Sequence, residues 1–147
     1  MIKKYGIKQL SIFLENRKGR LLEVTEALKD ASINIRALAL AESAEFGILR
    51  LVVNNPEKAK SVLSASGFTL KEQDVFAVEV ADEPGSFYKV VKLLTENDIN
   101  VDYTYAFVGD AKKAVLIFKV PSEMLAKALE ALDKGGVTLV EPMFFYD

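Results

Sequence analysis

Two stretches of the chain have the same form. Val80-Ala81-Asp82-Glu83-Pro84-Gly85-Ser86-Phe87 runs from a β-type segment, Phe76 to Val80, into a helical pattern. Leu14-Glu15-Asn16-Arg17-Lys18-Gly19-Arg20-Leu21 does the same. Gly85 follows Gly19 by 66 positions, and the pairs Asn16/Asp82, Ile33/Ile99 and Asn34/Asn100 keep that spacing. An internal repeat of this period divides the chain into two similar modules, expected at 1–74 and 75–147. A module of that size buries too little surface to be comfortably stable alone, so the halves should lean on each other or on a second chain.

Each module carries the same order of elements. Leu10, Ile12 and Leu14 alternate with Gln9, Ser11 and Phe13, the period of a strand. Beyond Gly19, Leu21, Val24, Thr25, Leu28 and Ala31 recur at helical spacing. Ser32-Ile33-Asn34 ends that helix, strands follow over 35–41 and 46–53, and Ser43-Ala44-Glu45 is the turn between them. Asn54-Asn55-Pro56 is a helix start, a polar cap followed by proline. Ala59, Val62, Leu63 and Ser66 form that helix's inner face, Gly67 stops it, and 68–70 begin a fourth strand. In the second module the strands are 76–80, 101–108, 114–120 and 137–140, with Gly109-Asp110 as a hairpin turn. Its helical stripes are Phe87, Val90, Val91, Leu94 and Leu125, Ala128, Leu129, Leu132. The order is β-α-β-β-α-β twice, which predicts an α+β chain of two tandem ferredoxin-like modules packed side by side. In each module the helices cover one sheet face and leave the other bare. Ala37, Ala39 and Ala41 in the first module correspond to Tyr103, Tyr105 and Phe107 in the second, so small residues match large rings that could wall a pocket. Phe144-Phe145-Tyr146 is expected as an edge strand or a dimer contact.

Composition narrows the chemistry. The chain has no cysteine and no histidine. Disulfides, thiolate ligands and a nucleophile–histidine–carboxylate arrangement are therefore out of reach. We expect no enzyme, no catalytic residue, no metal and no cofactor. Lysine and arginine number 19 against 21 acidic residues, a formal charge of −2. That balance lacks the clustered positive charge of phosphate-backbone binding. Phe46-Gly47-Ile48-Leu49-Arg50-Leu51 has the outline of an RNA-recognition strand, but Ile48 and Leu51 bring no ring to stack on a base. Nucleic acid is not an expected partner. No apolar run approaches the length of a membrane span, and Met1-Ile2-Lys3-Lys4-Tyr5 lacks the apolar stretch of a signal peptide, so a cytoplasmic location is expected.

The repeated corner has its own chemistry. A strand turning through glycine into a helix leaves backbone N–H groups unpaired, and these with the helix dipole favour a carboxylate or phosphate. Glycine lets a ligand approach the backbone. Asp82 can take an ammonium group. Amide donors beside a carboxylate suit a free amino acid better than a phosphate.

Asp82-Glu83-Pro84-Gly85-Ser86-Phe87 with Asn97-Asp98-Ile99-Asn100-Val101 resembles the signature of the ACT domain family, and Asn16-Arg17-Lys18-Gly19-Arg20-Leu21 with Ala31-Ser32-Ile33-Asn34-Ile35 resembles it again. The resemblance covers nearly the whole chain as two tandem ACT domains without a catalytic domain. It implies the β-α-β-β-α-β fold and side-by-side pairing into a continuous sheet. It also implies amino-acid binding at the interface between paired domains, and regulation of metabolic enzymes such as phosphoglycerate dehydrogenase and acetolactate synthase. The ligand-binding residues it implies here are Asn16, Arg17, Gly19, Arg20 and Leu21 in the first loop, and Asp82, Gly85, Ser86 and Phe87 in the second. The second-strand starts, Asn34–Ile35 and Asn100–Val101, would face them. Lys18 stands where proline is usual, which predicts a looser first loop, and Arg17 and Arg20 make that loop more basic, so the two sites are expected to be unequal. The expected function is a non-catalytic regulatory protein that binds a small amino acid, with a homodimeric assembly and a partner enzyme. The alternative is a ligand-free dimerisation or protein-interaction module.

Overall fold

The strand and helix periods of the sequence emerge as elements in a computed structural model, which describes residues 1–42, 45–108 and 112–146. A short helix, α1 (Ile2–Tyr5), precedes β1 (Ile7–Glu15), α2 (Arg20–Asp30), β2 (Ile35–Glu42), β3 (Phe46–Val53) and α3 (Pro56–Ala65). The long strand β4 (Thr69–Ala81) leads to α4 (Ser86–Glu96), β5 (Tyr103–Val108), β6 (Lys113–Lys119), α5 (Leu125–Lys134) and β7 (Thr138–Leu139). The expected turns at Ser43-Ala44 and Gly109-Asp110 lie outside the described residues. The fold is α+β, with two ferredoxin-like modules.

The chain forms two compact units. One comprises Lys8–Gln73 with Phe145–Asp147; the other comprises Met1–Ile7 with Asp74–Phe144. In the first unit the strand order is β2-β3-β1-β4, with antiparallel pairing of β3 to both β1 and β2. In the second it is β7-β4-β6-β5, again antiparallel. Strand β4 serves both, with residues through Gln73 in one unit and from Asp74 in the other.

Each unit has its own core on the helix-covered face of its sheet. Leu10, Ile12 and Leu14 of β1 and Leu49, Leu51 and Val53 of β3 pack against Val24, Leu28, Ala59 and Leu63 of α2 and α3. In the other unit Phe76, Val78, Leu116 and Phe118 meet Val90, Leu94, Leu125, Ala128, Leu129 and Leu132. Each of the buried Val, Leu, Ile and Phe side chains contributes about 1.5–3 kcal/mol of transfer free energy. The expected helix start at Asn55 is present, where its side chain accepts a bond from the Lys58 amide at 3.2 Å and Pro56 opens α3.

All four long helices stop in the same way. A residue with left-handed φ follows the helix: Ser32 (57°), Gly67 (88°), Asp98 (57°) and Gly136 (81°). The next residue then donates its N–H back to the carbonyl five positions earlier. These bonds are Ile33→Leu28 at 2.9 Å, Phe68→Leu63 at 3.1 Å, Ile99→Leu94 at 2.9 Å and Val137→Leu132 at 3.0 Å. In each case that next residue is apolar and turned toward the core, the Schellman arrangement. The 66-residue repeat thus extends to dihedral angles at Ser32 and Asp98.

Three expectations are corrected. Gln9 and Ser11 alternate with the core residues of β1, yet both are buried. On the face away from the helices, Gln73 Oε1 accepts from Ser11 Oγ at 2.7 Å and from Gln9 Nε2 at 3.4 Å. The expected strand over 137–140 shrinks to two residues. The aromatic tail is no edge strand: Pro142–Phe144 forms a 3-10 turn, and Phe145 is wholly buried. Its carbonyl accepts from Arg36 Nε at 3.0 Å, and the Tyr146 hydroxyl accepts from the Lys8 amide at 2.8 Å.

Candidate functional site

The two corners fold identically. Gly19 and Gly85 each take a left-handed conformation, φ/ψ 97°/−17° and 91°/−10°, immediately before α2 and α4. The flanking bonds repeat as well. Arg17 and Glu83 donate their amides to the carbonyls of Glu15 and Ala81, at 2.8 and 2.9 Å. The Asn16 and Asp82 amides are taken by Glu45 and Lys112, at 3.0 and 2.7 Å. The first intrahelical bonds run from Glu23 to Gly19 and from Lys89 to Gly85, at 3.0 and 3.1 Å. The amides of Leu21, Leu22, Phe87 and Tyr88 therefore have no acceptor within their helices. A Cβ built on either glycine meets nothing within 4 Å, so both corners open onto free space.

The side chains around the corners diverge. The first-unit cavity has a volume of about 290 Å³ and brings together Asn16, Arg17, Gly19, Arg20 and Leu21, with Glu15, Leu40, Glu42 and Gly47. Here the Arg20 guanidinium is already committed. Its Nη2 lies 3.3 Å from Glu15 Oε1, its Nη1 bonds the Glu23 carboxylate, and its plane sits 4.4 Å over the Phe68 ring. Arg17 Nε takes the other Glu15 oxygen at 3.1 Å. The two cations that made this loop basic in sequence are neutralised by its own acids.

The second-unit cavity is larger, about 540 Å³, within the range of small-molecule sites. Asp82, Glu83 and Ser86 stand on one side, beside the start of α4. Phe87, Ala106, Ala114 and Leu116 form the apolar wall. Phe87 stacks on Phe118 with centroids 6.0 Å apart and planes 11° from parallel, and Phe118 stacks on Phe76 at 5.5 Å. Tyr105 and Phe107 also line this cavity, as the aromatic strand suggested, whereas Tyr103 does not. Phe107 is backed by the Phe144 ring at 6.4 Å. A second cavity of about 440 Å³ on the far side of the same loop shares Val80–Glu83 and adds Glu79, Lys112, Lys113 and Thr138.

The second-strand starts go elsewhere. Asn34, Ile35, Asn100 and Val101 line none of these cavities, and Gly85, unlike Gly19, lines none of them either. Asn34 instead ties β2 to the end of β3: its amide donates to Asn54 Oδ1 at 2.9 Å and its carbonyl accepts the Asn54 amide at 3.1 Å. Ile35 and Val101 pack against the two cores. Sequence reasoning overlooked Thr104, Ala106 and Leu116. The first two alternate with the aromatic residues of β5 and so lie on its helix-facing side, where the pairs Thr104–Phe118 and Ala106–Leu116 place them. Leu21 and Phe87, each expected at the head of a buried stripe, are half exposed at the cavity mouths. Among the described residues no cluster of acidic side chains is arranged to hold a metal ion, and no helix is long and apolar enough to cross a membrane.

A family model described as an ACT domain pair matches residues 5–138. The chain belongs to the ACT domain pair family. Among solved structures, a protein from Bacteroides thetaiotaomicron is 36% identical over 98% of both chains, with a TM-score of 0.91. The ligand-free regulatory subunit of aspartate kinase from Thermus thermophilus shares the fold at 13% identity and a TM-score of 0.63, over 92% of this chain and 95% of that one. The corresponding Thermus flavus subunit is similar, at 14% identity and a TM-score of 0.62, over 90% and 94%. No curated protein matches the chain. The ACT pair therefore presents two corners of equal backbone and unequal lining.

Proposed function

We propose that this ACT domain pair is a non-catalytic regulatory protein of the cytoplasm. It binds a small amino acid at its second corner and relays that binding to a metabolic enzyme or regulator. The observation that carries the reading is the cavity of about 540 Å³ beside the second corner, where Asp82 and Glu83 lie next to Ser86 and Phe87 at the start of α4. The ligand's ammonium group pairs with Asp82. Its carboxylate takes the amides of Phe87 and Tyr88, aided by Ser86 and the helix dipole. At the first corner Arg20 is held by Glu15 and Glu23, so a ligand carboxylate there would have to displace two charge partners. A ligand that prefers one arrangement of the protein shifts the population toward it, which is the basis of the relay.

A thermal-shift screen of the common amino acids on the purified chain tests this reading. At least one should raise the melting temperature, and Asp82→Asn should abolish the shift. No shift across the panel, with folded protein, contradicts it.

A second reading, a protein-interaction module, is favoured by exposed apolar side chains on the first unit. Leu38 and Leu40 stand on one face of β2, an outer strand of its sheet, and they and Leu22 of α2 are each more than half exposed. Such a patch marks an interaction surface. We propose that it supports homodimer formation, to be tested by sedimentation of Leu40→Glu beside the parent chain.

A further inference from the structure

We infer that the amino acid taken by the second corner carries an apolar side chain. This inference rests on the reading of that corner as an amino-acid site, and it concerns the part of the ligand beyond the ammonium and carboxylate groups.

The polar groups of the cavity sit on one side. Asp82, Glu83, Ser86 and the start of α4 lie together, and a zwitterion uses them for its two charges. The remainder of the lining that faces the helices is Val80, Phe87, Ala106, Ala114 and Leu116, without a polar side-chain atom. Thr104 is the exception by type: its hydroxyl donates to the Ile117 carbonyl at 2.7 Å, so it offers a ligand an acceptor but no donor; Tyr105, also in the lining, alternates with Thr104 and Ala106 and so stands on the other face of β5. A ligand hydroxyl, amide or charge pointing this way would exchange its water for the Thr104 oxygen at most, an unfavourable trade for a polar group. A hydrocarbon side chain there loses only water.

The wall is also fixed. Phe87 is held against Phe118, and Phe118 against Phe76, in near-parallel stacks. Phe118 and Phe76 are fully buried, so the column is anchored in the core. Phe87 thus presents a steady ring face. Elsewhere in the lining, Ala106 and Ala114 are small, where a larger residue on β5 or β6 would take up space. Phe87, Ala106 and Leu116 are the specificity-determining residues of this assignment.

Calorimetric titration of matched amino acids into the full chain tests the inference. Valine against threonine, and leucine against asparagine, are pairs of similar shape that differ in polarity. The apolar member of each pair should bind on the order of ten- to a hundred-fold more tightly. Ala106→Leu, at an exposed position whose folding is checked by circular dichroism, should weaken leucine at least about tenfold and change alanine little. Equal affinities within both pairs, or preference for the polar members, overturn the inference while leaving amino-acid binding intact. Undiminished leucine binding by Ala106→Leu overturns it as well, since the side chain would then lie elsewhere. Silence from every amino acid overturns the underlying reading.

Discussion

The twin corners allow stability and binding to be separated with one pair of substitutions, Gly19→Ala and Gly85→Ala. Both glycines hold φ near +90° and ψ slightly below zero, and an added Cβ at either meets no atom within 4 Å. The cost of alanine is therefore backbone strain alone, about 1–2 kcal/mol for a side chain forced into the left-handed region. For a chain of this size that lowers the melting temperature by about 2–8 °C, and by a similar amount for both variants. Asparagine, which tolerates left-handed φ better, should recover part of the loss at each. Binding should split the pair. Gly85 directly precedes Ser86 and Phe87 of the cavity lining, so backbone strain there should displace the amides at the start of α4 and lower affinity at least tenfold, about 1.4 kcal/mol. At Gly19 it should leave affinity unchanged. Scanning calorimetry reads the first effect and titration calorimetry the second. Equal loss of binding in both variants, or a melting temperature untouched by Gly85→Ala, would refute the reasoning.

Other outcomes follow from the packing. Phe145→Ala removes a fully buried ring and should destabilise the unit it completes by about 3–5 kcal/mol in denaturant unfolding. Ser11→Ala removes the 2.7 Å bond to Gln73 Oε1 and should cost about 0.5–1.5 kcal/mol by the same measurement. Arg20→Ala deletes a guanidinium stacked on Phe68 and paired with two carboxylates; a loss of roughly 0.5–2 kcal/mol is expected, with ligand affinity unaltered. Asn55→Ala removes the cap of α3 and should cost about 1 kcal/mol.

Much of this was legible in the residues, and for definite reasons. Gly19 and Gly85 announce a corner because few other residues adopt their φ, and the 66-residue spacing made a chance match improbable as an account of the whole pattern. Leu125, Ala128, Leu129 and Leu132 are all buried as their spacing predicts, because a helix period fixes a face without reference to the rest of the chain. Two of the failures, on β1 and in the C-terminal tail, have a common cause. Gln9 and Ser11 look like the solvent side of a strand, but their partner Gln73 is more than sixty residues away. Phe145 is anchored by Arg36, still further off in sequence. Periodicity describes one element at a time and carries no information about such distant partners. Leu21 and Phe87 failed differently: each keeps its place in the helical pattern yet is left half exposed where a cavity opens. The charges of the first loop were legible but their pairing was not, so Arg20 looked available when Glu15 and Glu23 already hold it.

An amide-resolved NMR titration of the chain with leucine tests the central claim most directly. The account predicts saturable shifts at Gly85, Ser86 and Phe87, with Gly19, Arg20 and Leu21 unmoved and one ligand bound per chain. Shifts of equal size at both corners, or at neither while the ligand binds elsewhere, would contradict it.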